Sequence, residues 1–400
     1  MVPFVKSTWV TPMAIYIPLG LYIISLARHN RPIRILPFIF IYGLLLCAML
    51  STLVAHPVYR TVMFDKDWGG NIYTALLSPT AAVFALLLIL LAPSSESILA
   101  SLTWAAYLNF AGNVVRYVAA QRRGYWIGAY SDGAEFEAEY NLGFGYSVLM
   151  SVVVFVFLAL KGRRPVIHWT GAVTSLFMIL TGGSRAPAGV AFLAVGIFLF
   201  HFRKSVVFGS PKRAGLWAAG AALAAVVLAN VMTILKAIQK WLASRGSSYR
   251  SLDKIIDGSF TEDRARDRLS GISERLINEG GPFGHGIYGD RYHIRPYFHW
   301  GYPHNIIDEF MITYGWLGGT IVISTIAIVV AAGYLRSRGQ LDASLMVLVL
   351  PLTFQLWVSM SYLLSVWFWV LLALAVRSLV TNQRGQHSSS GDMPRLSAGK

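Results

Sequence analysis

The side chains best suited to chemistry in this sequence are arginines and a histidine in its second half. Arg185 follows Ser184 in a tight turn between two apolar segments, and Arg264, Arg266 and Arg268 alternate in a polar stretch. A guanidinium group can hold two phosphate oxygens with parallel hydrogen bonds. These arginines therefore predict binding of a phosphate-containing ligand. The alternatives are that Arg185 snorkels to a membrane interface and that the other three lie on a solvated helix with charge pairs.

A glycine-rich segment follows the arginines. Residues 280–289 contain five glycines, and Gly284 and Gly286 flank a histidine. Glycines allow a backbone to approach a ligand closely or to turn sharply, so Gly284 and Gly286 are candidate substrate contacts. The segment lacks the Lys-Ser/Thr end of a nucleotide phosphate loop.

The third candidate group is centred on His304 at the mouth of a long apolar segment. Asn305 follows directly, and Asp308 and Glu309 lie four and five residues further on. An imidazole oriented by a carboxylate can act as a general base. A single histidine at an interface can equally have a structural role.

The composition indicates the elements that must position these residues. The chain has 400 residues, of which 55% are hydrophobic and 13% charged, and its formal net charge is +15. Roughly 25% charged residues are usual in a soluble domain, so the chain is read as a membrane protein. Disorder, collagen, a coiled coil and a disulfide scaffold are excluded, the last because Cys47 is the single cysteine. Basic membrane loops explain the charge without nucleic acid.

The sequence predicts an all-α bundle of membrane spans. Eleven segments are apolar enough, and twelve is the alternative if one region hides a hairpin. They are residues 10–27, 35–55, 72–92, 98–119, 145–160, 166–181, 186–202, 214–235, 304–334, 345–360 and 362–379. The short connections at 28–34, 161–164, 203–213 and 336–338 are basic and are therefore predicted to be cytoplasmic.

Two longer polar stretches fall on the opposite, external side. Residues 120–142 carry an acidic group, and residues 236–303 carry 11 Lys/Arg against 8 Asp/Glu. We predict an amphipathic helix over 265–278. The predicted organisation is one transmembrane domain over 1–382, including the loop 236–303, followed by a disordered tail over 383–400.

The order of these features resembles the O-antigen ligase/polymerase family of bacterial inner-membrane enzymes. That family has a Ser-Arg turn, an Arg about sixteen residues before Pro-x-x-Gly-x-Gly, then His-Asn-x-x-x-Glu and Gly-x-x-Gly. The matching positions are Ser184-Arg185, Arg266, residues 281–286, His304-Asn305 with Glu309, and Gly315 with Gly318. The aromatic residue that follows the loop arginine in the family is Ser270 here, so Arg268 or Arg264 could take the place of Arg266.

The resemblance implies a GT-C-like membrane glycosyltransferase with its active site facing the periplasm. Its donor would be O-antigen on undecaprenyl diphosphate, and its acceptor a hydroxyl of lipid A–core for a ligase or another lipid-linked repeat unit for a polymerase. We expect the ligase, because one external loop dominates. Arg185 and Arg266 would hold the diphosphate, helped by Arg268, Arg264, Arg116 and Arg122. His304 would be the general base, oriented by Glu309 or Asp308, and Asn305 and Glu309 are further candidate contacts to the diphosphate or the acceptor.

Two further expectations complete the hypothesis. We expect no metal and no other cofactor, although the acidic cluster from Asp132 to Glu139 is an alternative cation site. A transporter for an anionic lipid is the remaining alternative function. It would place charges at mid-membrane depth, whereas the predicted spans carry theirs mainly near the ends.

Overall fold

The computed structural model describes residues 35–65, 70–78, 80–129, 135–138, 141–182, 185–206, 264–298 and 300–380, together with a few single positions between 233 and 256. The predicted spans 10–27 and 214–235, and the predicted tail, lie outside the described residues.

The described chain is mostly helical. Its first helices are α1 (Leu36–Ala55), α2 (Arg60–Met63), α3 (Phe84–Leu91), α4 (Ser95–Arg123), α5 (Leu142–Leu160), α6 (Pro165–Thr181) and α7 (Arg185–Val206). The later helices are α8 (Arg264–Gly280), α9 (Gly289–Ile294), α10 (Ile306–Arg336), α11 (Leu341–Thr353) and α12 (Val366–Val380). Short 3-10 turns cover Pro57–Tyr59 and Phe354–Trp357, and a π-helical turn covers Tyr73–Leu77.

Four of the described helices, α1, α4, α5 and α10, are long and apolar enough to cross a membrane. Helices α6, α11 and α12, and the apolar part of α7 over Ala186–Phe202, form shorter apolar segments. The membrane-type helices of the prediction are thus confirmed in part. The predicted span 72–92 is wrong as one continuous helix, because the π-helical turn and α3 are separate elements.

The prediction of an all-α chain also misses one small element. Strands β1 (Trp126–Ala129) and β2 (Glu135–Ala138) pair antiparallel, with Trp126 opposite Ala138 and Ala129 opposite Glu135. The hairpin lies in the polar stretch 120–142. Its first strand follows directly on α4, which ends at Gly124 with a positive φ of 82°. A glycine at that position allows the chain to leave the helix and turn back.

Helix α5 lies at the centre of the bundle. It is apolar on all sides, and its side chains from Val152 to Ala159 are all buried. A helix without a polar face must be surrounded by protein or lipid, and here α4, α6, α7 and α11 pack around it. By contrast, Ile321 and Ile328 on α10 are 57% and 66% exposed, as expected for a lipid-facing surface.

Helix α10 is broken at Gly315, and the glycine-rich turn fills the break. Gly315 has φ 77° and ψ 171°, a conformation essentially limited to glycine. The amides of His285 and Gly286 donate to the carbonyls of Ile312 and Thr313, both at 2.8 Å. In return, the amide of Trp316 donates to Gly281 at 3.1 Å and that of Gly318 donates to Pro282 at 3.3 Å. The turn therefore replaces the hydrogen bonds that the broken helix loses.

The break also sets the length of the continuous apolar part of α10. Residues 316–336 form 21 helical positions after the break. At 1.5 Å per residue this is about 31 Å, which matches the hydrocarbon core of a bilayer. Trp316 and Phe283 at the break are 55% and 79% exposed, as expected for aromatic residues at a membrane interface. Glu309 precedes the break and belongs to the shorter part of α10, residues 306–314.

We predict that Gly315→Ala destabilises the protein by about 1–3 kcal/mol through backbone strain alone. The added Cβ would also overlap the Pro282 carbonyl group. Gly112→Ala is the matched control, because Gly112 is helical and a Cβ there meets nothing within 4 Å. Thermal unfolding in detergent, followed by tryptophan fluorescence, measures both variants. Equal melting temperatures for the two would contradict the structural role of the break.

Candidate functional site

His304 is held at the mouth of α10 in an unusual backbone conformation. Its φ is 58°, in the left-handed region that side-chain-bearing residues seldom adopt. The rings of Trp300 and Tyr302 pack against the imidazole, each with its centroid 4.8 Å away. The side chain is half-buried. Strain of this kind is found preferentially at functional sites, which makes His304 the leading candidate for chemistry.

Asn305, predicted to contact substrate, has a structural partner. Its side-chain oxygen accepts a hydrogen bond from the Ile307 amide at 3.0 Å and so caps α10. Such a cap satisfies one of the free amides at a helix start. Asn305 therefore fixes the beginning of α10 directly after His304.

Arg264, Arg266 and Arg268 lie on α8, and the amphipathic helix predicted over 265–278 is confirmed. Leu269 and Leu276 are buried against Ile294 and Ile312, whereas the opposite face of the helix is polar. The burial of one apolar stripe explains why this charged segment is helical.

Arg266 and Arg268 are on the exposed side of α8. The guanidinium of Arg268 stacks over the Tyr297 ring at 5.5 Å. Arg266 is close enough to Tyr146 to act electrostatically on its hydroxyl. Arg264 is the first residue of α8, and its side chain lies outside the described residues.

Two tyrosines connect the surroundings of His304 with α8. The Tyr302 hydroxyl donates to the Ser359 carbonyl at 3.2 Å. Burial, and to a smaller extent the nearby charge of Glu309, raise the pKa of Tyr302 to about 12. Tyr302 is therefore a neutral hydrogen-bond donor at ordinary pH. Tyr146 is within electrostatic range of Tyr302 and also of Arg266. These three side chains therefore lie in one region of the molecule.

Arg291 forms a buried ion-pair network that no sequence pattern predicts. It is 2% exposed, and its Nη1 donates to both oxygens of Asp290 at 2.7 and 2.6 Å. Its Nη2 donates to Glu309 Oε1 at 3.0 Å and to Ser361 Oγ at 2.6 Å. Ser361 also donates to Glu309 Oε1 at 2.5 Å, and the Tyr362 amide donates to Oε2 at 3.1 Å.

Arg291 keeps its charge because two carboxyl groups contact its guanidinium group. Burial by itself lowers the pKa of Arg291, but the carboxylates of Asp290 and Glu309 more than compensate and raise it. Arg291 is thus held between two carboxyl groups, Asp290 and Glu309, in the protein interior. They join α9, the first turn of α10 and the segment before α12.

Glu309 is therefore placed differently from the expectation that it orients His304 or contacts substrate. Its side chain is 1% exposed, and both oxygens are used by Arg291, Ser361 and Tyr362. These contacts tie the first turn of α10 to α9 and to the segment before α12.

Gly284 and Gly286 likewise contact protein instead of open space. A Cβ at Gly284 would come within 2.7 Å of the carbonyl oxygens of Ile312 and Thr313. A Cβ at Gly286 would overlap the side chain of Thr52 on α1. The close approach that glycine allows is used to dock the turn into α10, not to admit a ligand.

The remaining candidates lie on other helices. Arg116 on α4 is exposed, with its guanidinium 5.7 Å from the Phe144 ring centre and its Nη1 3.4 Å from Asn113 Oδ1. Arg122, near the end of α4, lines an apolar cleft of about 440 Å³. Arg185 begins α7, and its side chain lies outside the described residues.

The acidic groups of the alternative cation site are only partly described. Asp132 and Glu139 lie outside the described residues, and the exposed Glu137 is on β2.

The sequence also holds an Asp-x-Asp pair, Asp65 and Asp67, that the expectation of a metal-free enzyme overlooks. Asp65 forms an ion pair with Arg295, and Asp67 lies outside the described residues.

Sequence reasoning had one signal for Arg291: it follows the glycine-rich turn in a Gly-Asp-Arg run. Nothing in that run distinguishes a buried arginine from the solvated ones nearby.

Comparisons of the chain with family models, with curated proteins and with solved structures gave no match.

Proposed function

We propose that this protein is a membrane glycosyltransferase that moves an O-antigen glycan from undecaprenyl diphosphate to a hydroxyl of lipid A–core. The observation that carries the proposal is the position of His304. It is held in a left-handed conformation at the mouth of an apolar helix, in the region shared by Tyr302, Tyr146 and Arg266. The ordered motifs of the resemblance supply the choice of substrates.

The arginines would stabilise the leaving group. As the glycosidic bond breaks, negative charge grows on the diphosphate oxygen. Donors already aimed at that position lower the barrier, since they need no reorganisation during the reaction. Arg266 is the main candidate, because it is exposed and close to Tyr146, and Arg268 is stacked beside it on Tyr297. Arg185 is the second clamp residue of the proposal.

His304 would take the proton of the acceptor. The acceptor oxygen forms a bond to the anomeric carbon, and its proton passes to the imidazole. The bond from that carbon to the diphosphate oxygen breaks, and its electron pair leaves with the lipid diphosphate. A single displacement of this kind inverts the configuration at the anomeric carbon.

An enzyme explains the charge distribution better than a transporter does. Helices α1, α5 and α6 contain no Asp, Glu, Lys or Arg, and α10 carries such residues only near its two ends. Arg377 on α12 is buried, and it donates to the carbonyls of Ile89 and Ala92 at the end of α3. A translocation path would instead require charges at mid-membrane depth that face a cavity.

The decisive experiment is reconstitution of the purified protein in vesicles with lipid-linked O-antigen and lipid A–core. Glycan on lipid A–core supports the ligase, whereas longer lipid-linked chains identify a polymerase. Transfer to neither acceptor contradicts the proposal. Arg266→Gln tests the clamp in the same assay, with Arg275→Gln as its control. Arg275 is on the same helix and is 56% exposed beside Glu279.

We predict that transfer persists at full rate in excess EDTA. The arginines would supply the charge compensation that a divalent cation supplies in other diphosphate-using enzymes. Initial rates with EDTA, and with EDTA followed by Mg²⁺, measure this. Loss of activity that Mg²⁺ restores would overturn the prediction, and Asp65→Asn would then test the Asp-x-Asp pair.

A further inference from the structure

A second basic site lies at the opposite end of α5 from Tyr146. Helix α5 has 19 residues, so its two ends are about 28 Å apart. The loop after α5 borders a cleft of about 680 Å³ between α4, α5 and α6. Trp104, Leu158 and Ile167 form an apolar wall, and Arg163 and Arg164 form a basic rim. This cleft is separate from the region of His304.

The basic rim is a built structure rather than a loose loop. His168 on α6 is 3% exposed, and its Nε2 is 2.7 Å from the Tyr107 hydroxyl of α4. Its Nδ1 is hydrogen-bonded to the Arg163 carbonyl. The Arg163 amide donates to the Leu158 carbonyl at 3.1 Å. The backbone of the loop is thus tied to all three helices.

The two arginine side chains project from this fixed backbone. Arg164 has a positive φ of 41° directly before Pro165, a strained conformation for a side-chain-bearing residue. Both arginines are exposed, and within the described part of the chain no carboxylate forms an ion pair with either. Positive charge near a helix end is sufficient to orient a protein in a membrane. That role does not require a buried histidine bonded to the loop backbone, nor a strained backbone at Arg164.

An apolar surface continues from the cleft along the helices. Trp104 and Leu108 on α4 are 68% and 71% exposed, and Val166 and Ile167 on α6 are 77% and 54% exposed. A ligand that fits both parts has an anionic phosphate for the guanidinium groups and acyl chains for the apolar surface. Trp104 lies near the rim, at the position expected for a tryptophan at the boundary between lipid headgroups and acyl chains.

We propose that this cleft binds an anionic glycerophospholipid, with its phosphate on Arg163 and Arg164 and its acyl chains along α4 and α6. The site does not depend on the proposed transferase activity. It would tie the bundle to lipids of the leaflet opposite to the one that faces His304.

Native mass spectrometry of the delipidated full-length protein tests this site, with phosphatidylglycerol and phosphatidylcholine as probes. We expect phosphatidylglycerol to bind more tightly. The double variant Arg163→Gln/Arg164→Gln should lose about 30-fold in affinity for it. The control is Arg336→Gln/Arg338→Gln, which removes an exposed pair at the turn between α10 and α11 and should bind as the wild type does.

Trp104→Ala provides a second test that leaves every charge in place. Because Trp104 is 68% exposed, the variant should fold normally. It should bind phosphatidylglycerol at least about fivefold more weakly, since apolar contact is lost. Competition with inorganic phosphate tests whether the site binds a free anion instead of a lipid. Displacement of the lipid by millimolar phosphate, or equal losses in the two arginine double variants, would overturn the proposal.

Discussion

His304→Asn is expected to lower glycan transfer by about 10²–10⁴-fold, the usual contribution of a general base. Asparagine is the sharpest replacement, because it tolerates the left-handed conformation that His304 adopts at φ 58°. Alanine would add backbone strain to the loss of the imidazole. The asparagine side chain cannot accept the acceptor's proton at neutral pH, so the chemical step itself should slow.

Transfer to lipid A–core in reconstituted vesicles measures this effect, and the melting temperature of the same sample reports folding. His56→Asn is the matched control, because His56 packs on Tyr59, 5.0 Å between ring centres, and has no role in the proposed mechanism. We expect the control to transfer at the wild-type rate. A His304→Asn variant with near-normal transfer would remove His304 from the mechanism, whatever the fate of the arginines.

Arg291→Met is expected to lower the free energy of unfolding by about 3–5 kcal/mol, the usual cost of removing one partner from a buried ion pair. Arg291 supplies the hydrogen bonds that balance Asp290 and Glu309, both of which are almost fully buried. Without the guanidinium, two carboxylates remain in the interior with no opposite charge. They must be protonated, or the segments that carry them must separate.

Equilibrium unfolding in detergent micelles, followed by tryptophan fluorescence, measures this change. Arg275→Met is the control, since exposed pairs such as Arg275–Glu279 contribute less than about 1 kcal/mol. The triple variant Asp290→Asn/Arg291→Met/Glu309→Gln removes all three charges and should recover a large part of the loss. If Arg291→Met costs no more than Arg275→Met, the network is not a source of stability.

The two expected results separate chemistry from scaffold. His304→Asn should change the rate and spare the fold, because His304 is half-buried beside Trp300 and Tyr302. Arg291→Met should change the fold first, because no part of Arg291 is available to a substrate.

The sequence predicted several elements well, and for local reasons. The apolar runs at 35–55 and 145–160 correspond to α1 and α5, since each residue of such a run favours a helix in an apolar environment. The amphipathic pattern over 265–278 corresponds to α8 because one apolar stripe recurs every helical turn.

The predictions that failed or were incomplete depend on contacts between distant segments. A continuous apolar stretch predicted α10 as one span, but its break at Gly315 is stable only because residues 281–286 supply replacement hydrogen bonds. The hairpin of β1 and β2 was missed because four-residue strands leave little periodicity to detect.

Composition and periodicity alone establish that this protein is mostly helical with membrane-type segments, a charged stretch over 236–303 and a histidine at the start of a late apolar segment. Those properties sum over neighbouring residues, so composition and periodicity are enough to reveal them. Only the tertiary structure decided which of the loop's arginines is buried and what Glu309 holds. Arg291 and Glu309 are 18 residues apart, and Glu309 and Ser361 are 52 apart. A charge is stable in the interior only beside its partner, and the fold alone brings these partners together.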